Sequence, residues 1–278
     1  MHSTSSYLAQ VFSDPAAHRE VAEIIAAHLT NKHDVRAEAL GNLDLSACRT
    51  ILDLGCGFGF FTLGLQRRTA PGARITGIDC YGSYRTIYLD ACKQAGIKGD
   101  FNPKGIHAIE SMPPDSLDLI LCSYALYYFP GYISRIARIL HPEGTFVAIT
   151  HSRSHLHELT TFVKGVLKKN GIPYIEPLPY QSLISHFTDE NGHALLSKVF
   201  GKVQSRTYRG KLVFKKEDFG RFRKYFLFKR GFFTPQNMNN DEKLIAMILD
   251  DLQHDVMTRG EISLTIDDMI FICNDPVN

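Results

Sequence analysis

The 278-residue sequence lacks the features that mark several classes of protein. No two of its six cysteines form a Cys-x-x-Cys pair, which argues against a zinc cluster or a disulfide framework and favours a reducing compartment. No uncharged apolar run is long enough to span a bilayer. The N-terminal residues lack the basic and apolar blocks of a signal peptide. We therefore expect a cytoplasmic protein.

The sequence also lacks an excess of charge of either sign. Lys and Arg total 31 against 29 Asp and Glu, so no whole-molecule field would attract nucleic acid or an anionic membrane. Hydrophobic residues make up 44% and charged residues 22%, which is typical of a soluble globular domain.

Short apolar segments alternate with helical patterns in the first half of the chain. Strands of this kind, separated by helices, indicate right-handed crossovers and a doubly wound, mostly parallel α/β sheet. The predicted strands are Ile51–Gly55, Ile75–Asp79, Leu117–Ser123 and Thr145–Thr150. The predicted helices are Asp14–Leu29, Gly59–Thr69, Tyr84–Ala95 and Tyr132–Leu140, and the turn HPEG precedes the last of these strands.

The pattern changes after Thr150. Predicted helices cover residues 156–169, 181–196, 218–229 and 241–257, and predicted strands cover 199–208, 212–214 and 262–273, the last with a possible interruption at 267–268. We interpret the chain as one domain, 1–278. Residues 1–47 would form an N-terminal helical cap, 48–150 the cofactor-binding core, and 151–278 the completion of the sheet with a helical substrate cover.

A glycine-rich loop, DLGCGFG, joins the first predicted strand to the next helix. Its glycines allow a tight turn and a close approach of the backbone to a ligand. A dinucleotide fingerprint would need a third glycine where Phe60 stands, and Asp53 would repel a diphosphate. The sulfonium and ammonium groups of S-adenosylmethionine would instead be stabilised by that carboxylate.

Asp79 ends the adjacent strand, twenty positions after Gly59. A carboxylate there can accept hydrogen bonds from both hydroxyls of a ribose. Aspartate is also common in turns and helix caps, but the distance from the glycine loop favours the ribose role.

Four segments in order resemble class I S-adenosylmethionine-dependent methyltransferases. The segment ILDLGCGFGFFT resembles their first motif and ITGIDCY their acidic second motif, while PDSLDLILCSYALYYF and IARILHPEGTFVAI resemble their fourth and fifth strands. The resemblance runs from about Arg49 to Thr150. It implies a Rossmann-like sheet of seven strands with an antiparallel last strand, and S-adenosyl-L-methionine as cofactor. The cofactor-binding roles that it implies fall on Asp53, Gly55, Cys56, Gly57, Asp79, Cys80, Ser123 and Tyr124.

The sequence departs from the family's pattern in two places. The acidic residue that often contacts the adenine is replaced by His107 and Ala108, of which Ala108 offers a backbone contact. Tyr127 and Tyr128 stand where the family often has histidines, and they are candidates to line the acceptor pocket or to pack beneath the crossover.

Candidates for the chemistry itself are His151 and Tyr128. His151 directly follows the predicted fifth strand, and strand carboxyl ends surround ligand sites in open α/β sheets. It is either a general base or a loop histidine in a hydrogen bond. No carboxylate cluster matches His151, His155 and His157, so we expect a polar helix entry there and no metal site.

The segment 209–230 mixes basic and aromatic residues. It could be an RNA-binding surface, but Phe219, Phe222 and Phe226 fall on one helical stripe, which favours a buried core. The sequence as a whole predicts methyl transfer from S-adenosylmethionine to a small-molecule oxygen, nitrogen or carbon nucleophile. An RNA methyltransferase and a non-catalytic S-adenosylmethionine-binding protein are the alternatives, and the oligomeric state is left open.

Overall fold

The computed structural model of the chain describes residues 11–277, which divide into two compact units. The sheet unit contains residues 33–152, 186–208 and 268–277, and the helical unit contains residues 11–32, 153–185 and 209–267. The division therefore interleaves the two units along the chain, and it falls at other positions than the predicted boundaries at 47/48 and 150/151.

The strands and helices are numbered here along the described chain. The strands are β1 (Thr50–Leu54), β2 (Arg74–Ile78), β3 (Lys98–Asn102), β4 (Leu117–Ser123), β5 (Leu140–His151), β6 (Phe200–Tyr208), β7 (Lys211–Lys215), β8 (Glu261–Thr265) and β9 (Asp268–Pro276). The α-helices are α1 (Pro15–His28), α2 (Val35–Leu40), α3 (Arg85–Ala95), α4 (Ile133–Ile139), α5 (His157–Lys169), α6 (Pro179–Ile184), α7 (Gly192–Leu196), α8 (Phe219–Phe233) and α9 (Glu242–Arg259).

Seven strands form the sheet of the sheet unit in the order β3-β2-β1-β4-β5-β9-β6. The neighbours from β3 to β5 are parallel, and β9 is antiparallel to both β5 and β6. This is the predicted doubly wound sheet with an antiparallel last strand. The apolar runs of β1 and β4 are buried, as expected for central strands that are covered on both faces.

The carboxyl ends of β1, β2, β4 and β5 lie at one edge of this sheet because these strands run in the same direction. Leu54 pairs with Ile78, and Ser123 pairs with Ile149. Loops that follow these strands therefore leave from the same edge, where ligands bind in open α/β folds.

Some predicted elements are wrong. Residues 59–69 form only a 3₁₀ turn, Thr62–Leu65, because Gly59 (φ +80°) and Arg67 (φ +59°) have left-handed backbones that an α-helix cannot contain. The predicted helix 181–196 is broken between α6 and α7, where the Thr188 N–H donates to the Asn191 side chain. The HPEG segment lies inside β5, beside a register shift in β4.

The helical unit has its own apolar core, built from α1, α5, α6, α8 and α9 and from the two-stranded sheet β7–β8. Phe219, Phe222 and Phe226 are buried in this core, which confirms the predicted stripe. Aromatic rings that are buried in this way cannot stack on RNA bases, so the nucleic-acid interpretation of residues 209–230 loses its stacking surface. Among residues 11–277, no helix combines the length and the apolar character that crossing a bilayer requires.

The packing of α8 gives a first test. Replacement of the fully buried Phe222 by alanine should lower the free energy of unfolding by about 3–5 kcal/mol, because it removes the ring and leaves a cavity. The neighbouring Arg223 is exposed, and Arg223→Ala should change it by less than about 0.5 kcal/mol. Denaturant unfolding of the full chain measures both. Equal effects of the two substitutions would contradict the assignment of this stripe to the core.

Candidate active site

The glycine-rich loop after β1 is fixed against the end of β2. The N–H groups of Gly55 and Cys56 donate to the Ile78 carbonyl, at 2.8 and 3.1 Å. Gly55 has φ +68°, and a Cβ at this position would lie 2.4 Å from Ala125 Cβ. Glycine is therefore required there by both backbone conformation and space.

Asp79, the residue after β2, holds this loop through its carboxylate. The Gly57 N–H donates to Asp79 Oδ2 and the Tyr81 N–H donates to Oδ1, both at 3.0 Å. Burial raises the pKa of Asp79, and the two backbone N–H groups act in the opposite direction by stabilising the carboxylate. Each carboxylate oxygen can accept a second hydrogen bond, so this group can also bind ligand hydroxyls.

Asp53 lies beneath the same loop and is only 2% exposed. Its Oδ2 accepts a hydrogen bond from the Thr62 hydroxyl at 2.7 Å. Burial raises the pKa of Asp53 to about 7, and the negative charge of Asp79 adds to this rise. The structure thus places a second carboxyl group close behind the loop, in contact with Thr62 and withdrawn from the surface.

Cys56 and Cys80 flank these carboxyl groups. Burial, together with Asp53 and Asp79, raises the pKa of the Cys56 thiol well above its usual range. Burial and Asp79 raise the pKa of Cys80 to about 11. Both thiols are therefore neutral near pH 7 and are poor nucleophiles.

His107 and Ala108 lie in a 3₁₀ segment, Gly105–Ser111. Ala108 is buried, whereas the His107 side chain is 74% exposed. His107 Nδ1 lies 2.7 Å from the Tyr132 hydroxyl and 3.3 Å from Glu110 Oε1, and the Tyr132 hydroxyl donates to the same oxygen. Glu110 was not among the predicted residues, although it is the acidic residue of this segment.

Ser123 and Tyr124 stand at the end of β4. The Tyr124 N–H donates to the Ile149 carbonyl at 2.8 Å, and Tyr124 has φ +55°. Its hydroxyl donates to Asp268 Oδ2 at 2.8 Å. Tyr124, predicted only as a cofactor contact, thereby connects the end of β4 to β9. Burial raises the pKa of this hydroxyl well above its usual range, so it stays protonated and remains a donor.

His151, the last residue of β5, forms a pair with Asp268, the first residue of β9. The two residues face each other in the antiparallel ladder, and His151 Nδ1 lies 2.8 Å from Asp268 Oδ1. Their side chains are 13% and 7% exposed. The His151 ring stacks on Tyr124 and on Tyr127, with centroids 4.8 and 6.0 Å apart.

The remaining candidates fall elsewhere. Tyr127 is buried and Tyr128 half-buried, with ring centroids 4.8 Å apart. His155 and His157 belong to the helical unit, where His157 is the first residue of α5 and its Nδ1 lies 2.9 Å from the Ser154 carbonyl oxygen. His157 is therefore part of a polar helix entry, as predicted.

Comparisons with known proteins agree with this geometry. Residues 51–144, which run from β1 into β5, match the family described as "Methyltransferase domain". The chain is 33% identical over 102 residues to trans-aconitate 2-methyltransferase of Paracidovorax citrulli, a match that spans 37% of each chain. It is 25% identical over 181 residues to demethylmenaquinone methyltransferase of Lactococcus lactis, which is 62% of this chain and 72% of that enzyme.

A solved structure shows the same fold. Phosphoethanolamine N-methyltransferase 2 of Haemonchus contortus, in complex with phosphomonomethylethanolamine and S-adenosylhomocysteine, superposes with a TM-score of 0.55 and 13% identity. The match covers 99% of this chain and 61% of that one.

The buried carboxyl group of Asp53 generates a prediction about pH. Its pKa is raised from 3.8 to about 7 in the fold, so the stability that its neutral form contributes is present below pH 3.8 and is lost as the pH rises to about 7. Asp53→Asn removes this dependence. The advantage of the variant in free energy of unfolding should therefore grow between pH 4 and pH 8, to about 4 kcal/mol at about 1.4 kcal/mol per pKa unit.

Unfolding midpoints measured across this pH range test the prediction. Asp100→Asn, an exposed carboxylate on β3, is the matched control and should leave the pH profile unchanged. A constant difference between the Asp53→Asn variant and the unmodified protein would show that Asp53 is already ionised at low pH.

Proposed function

The chain carries a class I methyltransferase domain of the S-adenosylmethionine-dependent type, and from that premise we propose that it transfers the methyl group of S-adenosylmethionine to a small-molecule nucleophile. The observation that carries this proposal is the Asp79 carboxylate, held by Gly57 and Tyr81 at the mouth of the glycine loop. When bound there, the cofactor supplies an activated methyl group on a sulfonium.

The residues of the sheet unit divide the binding of this cofactor among them. We assign the ribose hydroxyls to Asp79, and the close backbone approach to Gly55, Cys56 and Gly57. The contacts of the adenine side are assigned to Cys80, His107 and Ala108, and those after β4 to Ser123 and Tyr124. The buried carboxyl group of Asp53 supports a cationic ligand through its charge, because its Thr62 contact keeps it beneath the loop.

Two carboxyl groups near one loop favour a cation over a diphosphate. Their mutual repulsion is visible in the raised pKa of Asp53. A dinucleotide would add negative charge to this crevice, whereas the sulfonium and ammonium groups of S-adenosylmethionine would relieve the repulsion. This argument favours a methyltransferase over a nicotinamide-dependent oxidoreductase.

A small molecule is the acceptor class that we favour. The two relatives are named for the small molecules trans-aconitate and demethylmenaquinone. In the sheet unit, Tyr127 and Tyr128 offer aromatic rings beside the end of β4, and such rings can line an apolar acceptor pocket. Oxygen, nitrogen and carbon nucleophiles are all compatible with these features.

Calorimetric titration with S-adenosylhomocysteine tests cofactor binding. Asp79→Ala should weaken binding by about 10- to 150-fold, because hydrogen bonds to a charged acceptor contribute about 1.5–3 kcal/mol. Asp90→Asn, an exposed carboxylate on α3, is the control and should bind as the unmodified protein does. Absence of heat at about 1 mM S-adenosylhomocysteine, or preferential binding of a nicotinamide dinucleotide, would contradict the proposal.

Turnover requires a separate measurement. Release of S-adenosylhomocysteine in the presence of a panel of small carboxylic acids, phenols and amines distinguishes an enzyme from a protein that binds the cofactor without using it. Tight cofactor binding without methylation of any panel member would favour the non-catalytic alternative.

A further inference from the structure

The pair formed by His151 and Asp268 lies where β5 ends and β9 begins. We propose that His151 is the general base of the reaction and that Asp268 is its positioning residue, so that the acceptor carries a proton on the group that is methylated. The inference rests on the proposed function and narrows it to hydroxyl and ammonium acceptors, as opposed to carboxylates.

The pairing with Asp268 selects the tautomer of His151. An ionised carboxylate can only accept hydrogen bonds, so the Nδ1 atom that lies 2.8 Å from Asp268 Oδ1 carries a hydrogen. In a neutral imidazole this makes Nε2 the nitrogen with the lone pair. Nε2 is therefore the atom that can take a proton from an acceptor.

Asp268 is itself held in place on its other oxygen. The Tyr124 hydroxyl donates to Asp268 Oδ2 at 2.8 Å, and Asp268 pairs across the sheet with both His151 on β5 and Tyr208 on β6. With one oxygen fixed by Tyr124 and the other facing His151, the carboxylate has little rotational freedom. A base whose partner is fixed in this way is preorganised for proton transfer.

Aromatic stacking fixes the plane of the imidazole. Tyr124 and Tyr127 both lie nearly parallel to the His151 ring, at interplanar angles of 27° and 23°. Stacking sets the tilt of the ring, and the Asp268 contact sets its rotation. A loop histidine with no positional role would not need both constraints.

The position of the pair matches that of the cofactor loop. Ser123 at the end of β4 pairs with Ile149, two residues before His151, and β1 lies beside β4 in parallel. His151 therefore ends its strand at the same sheet edge from which the glycine loop leaves β1. Ligand sites of open α/β sheets occupy this edge.

The reaction balances with this single base. A lone pair of the acceptor atom forms the new bond to the methyl carbon while the carbon–sulfur bond breaks and its electron pair stays on sulfur. The proton that the acceptor atom loses passes to His151 Nε2, and the positive charge of the imidazolium is stabilised by Asp268. A carboxylate acceptor is already deprotonated at neutral pH and would gain nothing from this base.

Nitrogen-15 NMR of the purified protein tests the positioning role of Asp268 without any acceptor. The His151 ring should show the Nδ1–H tautomer, and Asp268→Asn, which can donate as well as accept, should shift it toward Nε2–H. His141→Gln removes an exposed histidine at the opposite end of β5 and should leave the His151 signals unchanged. An Nε2–H tautomer in the unmodified protein would overturn the proposal.

Turnover tests the base itself. With 1-naphthol and 1,4-dihydroxynaphthalene as hydroxyl probes and trans-aconitate as the carboxylate probe, we expect methylation of a hydroxyl probe. His151→Ala should lower kcat by about 100-fold or more with S-adenosylhomocysteine affinity unchanged, and added imidazole should restore part of it. His141→Gln should leave kcat unchanged.

Three outcomes would overturn the inference while the proposed function stands. These are methylation of trans-aconitate alone, a His151→Ala variant with undiminished kcat, and bound S-adenosylhomocysteine with no hydroxyl probe methylated. Failure of S-adenosylhomocysteine to bind would instead remove the proposed function.

Discussion

The hydrogen bond from the Gly57 N–H to the Asp79 carboxylate is the interaction on which the site depends. It joins the loop after β1 to the residue after β2, and it can form only because Gly57 adopts a left-handed backbone with φ +47°. Two backbone N–H groups keep the carboxylate ionised in a half-buried position, at the cost of desolvation. An anion so fixed, next to exposed loop backbone, is complementary to hydroxyl groups and positive charge.

Asp53 adds a second carboxyl group to this crevice, and the two together are unfavourable when no ligand is present. Burial and the charge of Asp79 both favour the neutral form of Asp53. An alanine or asparagine at this position would relieve the repulsion, so stability alone does not explain the aspartate. A cationic ligand does, because its charge offsets the repulsion at the moment of binding. Functional sites commonly retain such local destabilisation.

The sequence predicts the central strands well because each is a short apolar run buried on both faces, whose pattern is legible without tertiary information. β3 was missed because its residues, Lys-Gly-Asp-Phe-Asn, are mostly polar, as an edge strand tolerates. The six-residue helix α2 is too short to show a helical period. The false helix at 59–69 contains apolar residues at suitable spacing, but Gly59 and Arg67 need left-handed conformations that no spacing rule reveals.

The candidate site was predictable where its residues are close in sequence and hidden where they are not. Asp53, Gly55 and Gly57 form one motif, and Asp79 follows at a characteristic distance. His151 and Asp268 are separated by 117 positions, and only the antiparallel pairing of β5 with β9 brings them together. The sequence offered one signal, an aspartate pair inside an apolar strand, and it was interpreted only as an interruption.

The pairing also changes the weight of evidence on His151. Methyl transfer from a sulfonium can proceed by positioning alone, so a base is not a requirement of the reaction. A histidine and an aspartate buried together at a strand end are, however, costly to desolvate, and apolar residues of similar size would pack there at less cost. Neighbouring strands hold this pair with a tyrosine hydroxyl and two stacked rings, more restraint than sheet pairing needs. The arrangement is explained by a proton that must be removed from the acceptor at this end of the sheet.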